Sequence, residues 1–294
     1  MVKIDNLGTE KRNPKTENLD SLSTLEILQI MNEEDQNVLN TIKDALPKID
    51  KLVQECIKAY NNGGRIIYIG AGTSGRLGLM DAVEVVPTFN SERFVGLIAG
   101  GEHAFVRAVE GAEDSKELCV DDLKSLDFNN KDVLIGIAAS GRTPYVIGGI
   151  EYAKQIGAVT GCVCCNFDSA IAKLVDYPVE VNAGPEVVTG STRLKSGTCQ
   201  KIILNMISTC TMIGVGKVYK NLMIDVRPTN EKLVERCRNI VMGCTGCDHD
   251  TADRVLNETC NNTKLAVTMI LFGKTKDEAE KALSEANGLI RNIK

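Results

Sequence analysis

The sequence has no surplus of positive charge and no long apolar run, and these two absences exclude broad classes of protein. The chain carries 34 Lys and Arg against 39 Asp and Glu, a formal net charge of −5 at pH 7. A nucleic-acid-binding surface normally needs a basic patch, so this balance argues against a nucleic-acid partner. The most apolar long segment, Ile202 to Val215, contains Asn205 and several hydroxyls and is too short to span a bilayer. We therefore expect neither nucleic-acid binding nor membrane association.

Features of secreted proteins are also missing. Residues 1–20 are polar and charged rather than apolar, so we expect no secretory signal. The 11 cysteines, an odd number, then indicate free thiols in a reducing compartment, and we expect a cytoplasmic protein. Cys162, Cys164 and Cys165 fall on a predicted core strand, where cysteine packs as a small hydrophobic residue.

A metal site is expected nowhere, although Cys244 and Cys247 form a candidate pair. A structural zinc site needs a second pair of ligands at a suitable spacing. Cys237 and Cys260 are close in sequence but do not form such a pair. The sequence therefore favours a helix-ending turn with reduced thiols.

What the sequence does contain is a pair of polar, glycine-containing turns between a strand and a helix. Ile66 to Ile69 reads as a buried parallel strand, and Gly70-Ala71-Gly72-Thr73-Ser74-Gly75-Arg76 follows it. Downstream, Val133 to Ala138 is followed by Ser140-Gly141-Arg142-Thr143-Pro144, with Pro144 suited to the first turn of a helix. Backbone N–H groups at such turns, together with the helix dipole, form anion sites. Two such loops on one sheet predict one anion site built from both.

The first loop also fits G-x-G-x-x-G, the fingerprint of dinucleotide-binding folds. That fingerprint needs an acidic residue near the end of the second strand, to bind a ribose hydroxyl. Here the second strand ends in Gly100-Gly101, and Glu102 comes only beyond them. Thr73, Ser74 and Arg76 also add side-chain donors that a pyrophosphate against bare backbone does not need. A nicotinamide or flavin cofactor is therefore disfavoured, and we expect no cofactor.

Alternating strands and helices from Arg65 to about Tyr219 predict an α/β fold with a parallel sheet. We expect strands at residues 65–69, 95–99, 132–138, 158–164 and 178–182, and helices beginning near residues 74, 102, 116, 144 and 168. Residues 1–20 read as a loose leader. A short helix then opens with the capping-box spacing of Ser23 and Glu26 and ends near Asn32, and an amphipathic helix ends near Tyr60.

A long buried helix is expected over about residues 194–218. From residue 230 onwards only helices are expected, one of them opened by a capping box of Thr275 and Glu278. These elements predict three parts: a leader with helices (1–60), an α/β domain (61–228) and a helical subdomain (229–294).

The two loops resemble the phosphate loops of sugar isomerase (SIS) domains, which bind phosphosugars. Within that superfamily the chain closely resembles the N-acetylmuramic acid 6-phosphate etherases. The matching stretches are residues 16–20 with 23–26, 69–78, 108–114, 136–146, 184–195 and 221–233. The resemblance implies an SIS-type three-layer sandwich with a parallel sheet, N-terminal helices and a small C-terminal helical subdomain.

One departure from the family is local. Where the family usually has Asp-Ala-Ser-Glu-Cys-Pro-Pro-Thr, this chain reads Asp81-Ala82-Val83-Glu84-Val85-Val86-Pro87-Thr88. The glutamate is kept, but its neighbours are more apolar. An apolar setting favours the protonated form that a general acid needs.

The resemblance implies cleavage of the lactyl ether of N-acetylmuramic acid 6-phosphate by elimination followed by addition of water, without metal or nucleotide. By motif position Glu84 matches the acid and Glu113 the base. Sequence reasoning by itself does not choose Glu113 over Glu110. Glu186 is a reserve base or a positioning group. The implied substrate- and phosphate-binding residues are Gly72, Thr73, Ser74, Ser140, Gly141, Arg142, Thr143, Glu186 and Ser191.

Other functions of the same fold stay open at this point. A non-catalytic SIS sensor of sugar phosphates is one alternative, although no helix-turn-helix is evident before the α/β domain. An aldose–ketose isomerase on the same phosphate site is another. Because related SIS domains place their sites at subunit contacts, the resemblance also implies a homodimer.

Overall fold

Five apolar strands form one parallel sheet in the computed structural model, which describes residues 8–107, 109–226, 228 and 231–294. The strands are β1 (Ile66–Gly70), β2 (Phe94–Ile98), β3 (Val133–Ala138), β4 (Val159–Cys164) and β5 (Tyr177–Glu180). Their order in the sheet is β2-β1-β3-β4-β5, with every pair parallel. Every residue of β1 and β3 is buried, as expected for parallel strands covered on both faces. The five predicted strands are confirmed to within two residues at each end.

Contacts divide the chain into two units. The sheet unit comprises the residues up to Val83 together with Arg93–Ser208, and the helical unit comprises Glu84–Glu92 and Thr209–Lys294. The predicted domain boundaries at residues 60/61 and 228/229 stay predictions. The two units are defined by contacts alone and do not test where domains begin or end.

Helices cover both faces of the sheet, which confirms the predicted three-layer α/β fold. Their bounds are α1 (Thr24–Asn61), α2 (Gly72–Phe89), α3 (His103–Val106), α4 (Lys116–Ser125), α5 (Pro144–Gln155) and α6 (Lys195–Gly214). Ile67 and Ile69 share a core with Val146 and Ile150 of α5. Tyr68, which points to the other face, packs at Gly78 of α2, where a Cβ would lie 3.1 Å from the Tyr68 Cβ.

The N-terminal helical region differs from its prediction, because α1 is one helix of 38 residues rather than two. It begins at the predicted capping box of Ser23 and Glu26 and ends at Asn62, its C-cap. The polar stretch after Asn32 resembles a linker in sequence. In the structure it continues the helix, and Glu34 within it is buried on the inner face.

The helix expected near residue 168 is wrong, because residues 167–174 form turns. Asp168 has a left-handed backbone, with φ of 55°, which interrupts any helix there. The Ser169 hydroxyl accepts a hydrogen bond from the Ala172 N–H at 3.2 Å, and the Ile171 N–H donates to the Gly141 carbonyl at 3.0 Å. The local polar groups are therefore satisfied by the turn and by a neighbouring loop.

The expectation of a loose leader is also wrong for residues 8–21, while residues 1–7 lie outside the described part. Three 3-10 turns, Gly8–Glu10, Pro14–Thr16 and Leu19–Ser21, make up most of this N-terminal segment. The Thr9 N–H donates to Asn166 after β4, and the Thr16 hydroxyl donates to the Val187 carbonyl after β5. The segment is therefore fixed along the carboxyl ends of the strands.

After residue 230 the described part of the helical unit contains helices and no strand, as predicted. They are α7 (Glu231–Thr245), α8 (His249–Glu258), α9 (Thr263–Phe272) and α10 (Lys276–Glu285). The capping box of Thr275 and Glu278 is confirmed. A two-stranded hairpin of β6 (Val218–Tyr219) and β7 (Leu222–Met223) was not predicted. Its two-residue strands are too short to give a periodic signal.

All eleven cysteines are free thiols, and Cys244 is buried while Cys247 is partly buried. Among the described residues no group of three or more His, Cys, Asp or Glu is placed to hold a metal ion. No helix in the described ranges is both long and apolar enough to cross a membrane.

Candidate active site

The first glycine loop is shaped by a close approach of strand and helix. A Cβ on Gly75 would lie 2.6 Å from the Gly70 carbonyl oxygen, so a side chain there would push α2 away from β1. Gly72 has a φ of +52° and is exposed, with nothing within 4 Å of its Cβ position. Because α2 begins at Gly72, its first N–H groups lie at the carboxyl edge of the sheet, where an anion can be bound.

The hydroxyls of this loop have different environments. Ser74 is buried, and its hydroxyl donates to the Gln200 side-chain oxygen on α6 at 2.9 Å. Thr73 is partly buried, and its hydroxyl has no partner among the described residues. Ser74 therefore joins α2 to α6, and any contact of Ser74 with a bound anion falls to its backbone N–H.

The second loop, Ser140 to Pro144, presents its hydroxyls openly. Gly141 has a φ of +68°, and its N–H donates to the Ala138 carbonyl at 3.1 Å. Thr143 is the N-cap of α5, and Pro144 is its first residue, as predicted. The Ser140 and Thr143 side chains are partly buried and have no hydrogen-bond partner in the described part of the chain. Two hydroxyl donors thus stand at a helix N-terminus, as an anion site requires.

A third loop, 184–193, follows β5 and is held by Glu186. This carboxylate is fully buried and accepts from the Lys195 N–H at 3.0 Å and from both the N–H and the hydroxyl of Ser196 at 2.9 Å. It therefore satisfies the first N–H groups of α6. This geometry fits the positioning role of Glu186 better than that of a base. Ser191, in the same loop, is partly buried with no described partner for its hydroxyl.

A buried ion pair that sequence reasoning missed supports this loop from α1. Lys195 is 1% exposed, and its ammonium bonds to Glu34, which also accepts from Asn13 at 2.9 Å and from Lys15 at 3.0 Å. Burial would raise the pKa of Glu34, but the bonds from Lys195, Lys15 and Asn13 outweigh it and hold the pKa below its usual value. Nothing in the sequence pointed to Glu34 as the partner of Lys195.

The segment after β2 folds back over the sheet edge. Gly100 and Gly101 both have positive φ, and a Cβ on Gly100 would lie 2.9 Å from the Val109 Cβ. Arg76 fixes this segment from α2. Its Nε donates to the Phe105 carbonyl at 2.9 Å, and its Nη2 donates to the Ala104 carbonyl at 2.8 Å.

A cavity of about 210 Å³ lies between this segment and the first loop. It is lined by Ala71, Gly72, Arg76, Ala99, Ala104, Val109, Glu110, Gly111 and Glu113. The structure thus brings Gly72 and Glu113 together, as the predicted site requires. Glu110 lines the same cavity, so the geometry of the cavity does not by itself choose between the two carboxyl groups. The lining residues do not include Ser140, Glu186 or Ser191.

Glu84 lies on α2 and is exposed. The sequence predicted an apolar setting for this carboxyl group, and within a single chain that expectation is wrong. Val85 is buried, but Val83 is 57% exposed, because neighbouring residues of a helix point in different directions.

Comparison with known proteins decides the family. A family model described as the glucokinase regulatory protein N-terminal SIS domain matches residues 48–154. The chain is 55% identical over 293 residues to N-acetylmuramic acid 6-phosphate etherase 2 of Enterococcus faecalis, covering 99% of each chain. It is 56% identical over 290 residues to N-acetylmuramic acid 6-phosphate etherase of a Geobacillus species, covering 98% of each. The chain belongs to the N-acetylmuramic acid 6-phosphate etherase family.

One solved structure has a similar fold over part of this chain. A phosphoheptose isomerase from Francisella tularensis matches with a TM-score of 0.51 and 16% identity, covering 65% of this chain and all of that one. At this identity the match shows a common fold only. Membership of the etherase family confirms the resemblance that the loop motifs first indicated.

Proposed function

We infer that this chain cleaves the lactyl ether of N-acetylmuramic acid 6-phosphate, giving N-acetylglucosamine 6-phosphate and D-lactate. It is a carbon–oxygen lyase of cell-wall amino sugar recycling or catabolism. The observation that carries this inference is identity of 52–56% over nearly the whole chain to proteins named for that activity. A sugar-phosphate sensor without activity is disfavoured for the same reason.

Elimination across C2 and C3 of the ring-opened sugar requires a base and an acid. The C1 aldehyde acidifies the C2 proton, and we assign Glu113 as the base that removes it. The position of Glu113 supports this role, because the residue lines the cavity next to the first loop, at the carboxyl edge of the sheet. The electrons of the C2–H bond pass to the aldehyde oxygen and then expel the lactyl oxygen from C3. Water adds to C3 of the resulting double bond, and C2 regains a proton.

The lactyl oxygen needs a proton to leave, and we assign Glu84 as its donor from motif position. Because Glu84 is exposed in the single chain, this role depends on a partner subunit. A homodimer is supported by the apolar side chains that α1 leaves on its surface, Leu25, Leu28 and Leu39, which are 57–65% exposed. Light scattering should give twice the chain mass of 31.9 kDa. A fully active monomer would contradict the assignment.

The phosphate is assigned to the second loop, where Ser140, Gly141, Arg142 and Thr143 surround the start of α5. Gly72, Thr73 and the Ser74 N–H face the same edge from the first loop, and Ser191 adds a hydroxyl from the third. Glu186 is assigned as a positioning group, since its oxygens already accept three hydrogen bonds. A cytoplasmic location is supported by the eleven free thiols.

The decisive experiment follows lactate release and hydrogen exchange together. Wild-type protein incubated with the substrate should release lactate, and in heavy water it should place deuterium at C2 of the product sugar. Glu113→Gln should lose both activities by about a hundredfold or more, the size expected for a positioned base. Glu84→Gln should lose lactate release but keep exchange at C2 of N-acetylglucosamine 6-phosphate.

Glu110→Gln is the matched control, because Glu110 lines the same cavity. If Glu110→Gln abolishes exchange while Glu113→Gln does not, the base is Glu110. An isomerised sugar without lactate would show an aldose–ketose isomerase, and binding without turnover would show a sensor.

A further inference from the structure

The substrate carries two anionic groups, and only one of them has been assigned a site. The phosphate belongs to the second loop in the proposed function, while the carboxylate of the lactyl group has no partner yet. We propose that the cavity beside Glu113 is the lactyl pocket and that Arg76 binds the lactyl carboxylate. Arg76 is then a specificity-determining residue, and this assignment rests on the proposed function.

Connectivity of the substrate places the lactyl group in this cavity. The proton that the base removes is on C2, and the lactyl ether is attached to the next carbon, C3. A carboxyl group in contact with the C2 proton is therefore only a few bonds from the lactyl carboxylate. Because Glu110 and Glu113 both line the cavity, this holds whichever of them is the base.

The size of the cavity fits a part of the substrate rather than all of it. Its volume of about 210 Å³ is below the roughly 300–1,000 Å³ of pockets that enclose a whole small ligand. The second loop, which is assigned to the phosphate, does not line it. Ala99, Ala104 and Val109 give it an apolar wall, which suits the methyl group of lactate.

Arg76 is held ready to bind a carboxylate. Two of its N–H donors are engaged by the Phe105 and Ala104 carbonyls, at 2.9 and 2.8 Å. A guanidinium has five N–H donors, so three remain for a ligand. The two carbonyl bonds fix the plane of the group, and a fixed guanidinium matches a carboxylate with two parallel hydrogen bonds.

The charges of the lining make this arginine necessary. Glu110 and Glu113 would repel a third carboxylate, and Arg76 is the one cationic side chain among the described residues that line the cavity. A lactyl carboxylate can therefore enter only on the Arg76 side. The same balance disfavours ligands that bring a negative charge to the glutamates without reaching the arginine.

The test compares Arg76→Gln with Arg93→Gln. Arg93 is a matched control, because it also donates to a backbone carbonyl, that of Tyr60 at 2.7 Å, and does not line the cavity. For Arg76→Gln we expect kcat/KM for N-acetylmuramic acid 6-phosphate to fall about 10- to 100-fold, the value of a hydrogen bond to a charged group. Inhibition by N-acetylglucosamine 6-phosphate, which has the phosphate but no lactyl group, should change less than about twofold. Arg93→Gln should leave both constants unchanged.

A substrate analogue with the lactyl carboxylate converted to a carboxamide gives the second measurement. Wild-type protein should prefer the carboxylate, and Arg76→Gln should lose that preference. Arg76→Lys, which keeps the charge but not the paired donors, should recover part of it. A preference that survives in Arg76→Gln would overturn the proposal, and so would equal weakening of N-acetylglucosamine 6-phosphate binding, which would place the phosphate on Arg76 or show a general loss of structure.

The two inferences fail in different ways. If wild-type protein releases no lactate at all, the proposed function is wrong. If it releases lactate but Arg76→Gln behaves as wild type towards both substrate forms, only the lactyl pocket is wrong.

Discussion

The first and second glycine loops lie on the neighbouring strands β1 and β3 and each opens a helix, yet their side chains are used differently. In the first loop Ser74 is buried and bonded to Gln200. In the second, the Ser140 and Thr143 hydroxyls have no partner within the described residues. The two loops therefore have different roles, although their compositions are similar. The first shapes a cavity, and the second keeps its donors available for an anion.

The glycines of the two loops also differ, in how much space surrounds them. Gly72 and Gly141 both have positive φ. The Cβ position of Gly72 is open, whereas a Cβ on Gly141 would lie 2.3 Å from the Ser169 Cβ. Gly72 is therefore needed for its conformation alone, whereas Gly141 is needed for packing as well.

The largest expected effect is on substrate binding by the second loop. Ser140→Ala combined with Thr143→Ala should raise KM for N-acetylmuramic acid 6-phosphate by about a hundredfold or more. Two hydrogen bonds to a charged phosphate, each of about 1.5–3 kcal/mol, would be lost. Steady-state kinetics measures this, with Thr73→Ala in the first loop as the comparison. An unchanged KM in the double variant would remove the phosphate from this loop.

The next largest effect is a difference in stability between variants of Gly141 and Gly72. Gly141→Ala should lower the free energy of unfolding by about 2–4 kcal/mol, because backbone strain and the clash with Ser169 add. Gly72→Ala should cost only about 1 kcal/mol, from strain alone. Urea unfolding of the two variants measures the difference. Equal losses would mean that the second loop moves away from Ser169 at little cost.

The smallest effect concerns Ser74. Ser74→Ala should lower the free energy of unfolding by about 1 kcal/mol, since one neutral hydrogen bond to Gln200 is lost. KM should change little, because the hydroxyl is already engaged within the protein. Thermal melting together with KM checks this. A steep rise in KM without destabilisation would show that Ser74 binds substrate through its side chain.

The sheet and both loops could be predicted because their signals are local. Apolar runs of four and six residues mark β1 and β3, and the glycines and Pro144 mark the turns that follow. The capping boxes at Ser23 and Thr275 are likewise contained within four residues. Such features depend little on the rest of the fold, and the structure reproduces them.

What could not be predicted depends on partners far away in sequence. Glu34 reads as a solvated residue of a polar stretch. Its burial is made favourable by bonds from Asn13, Lys15 and Lys195, the last of which is 161 residues away. The docking of residues 8–21 likewise depends on loops that follow β4 and β5. The exposure of Glu84 was missed for a different reason, because an apolar run in sequence was read as an apolar environment in space.

The docked N-terminal segment can form its contacts only after much later parts of the chain have been synthesised. Thr9 and Asn166 are separated by 157 residues, and Glu34 and Lys195 are separated by 161 residues. At about 5–20 residues per second, a ribosome needs roughly 8–30 s to make the partners that these early residues require. Until then the bonds of Thr9 to Asn166 and of Glu34 to Lys195 cannot form. Residues 9 and 34 are therefore synthesised well before the partners that fix them.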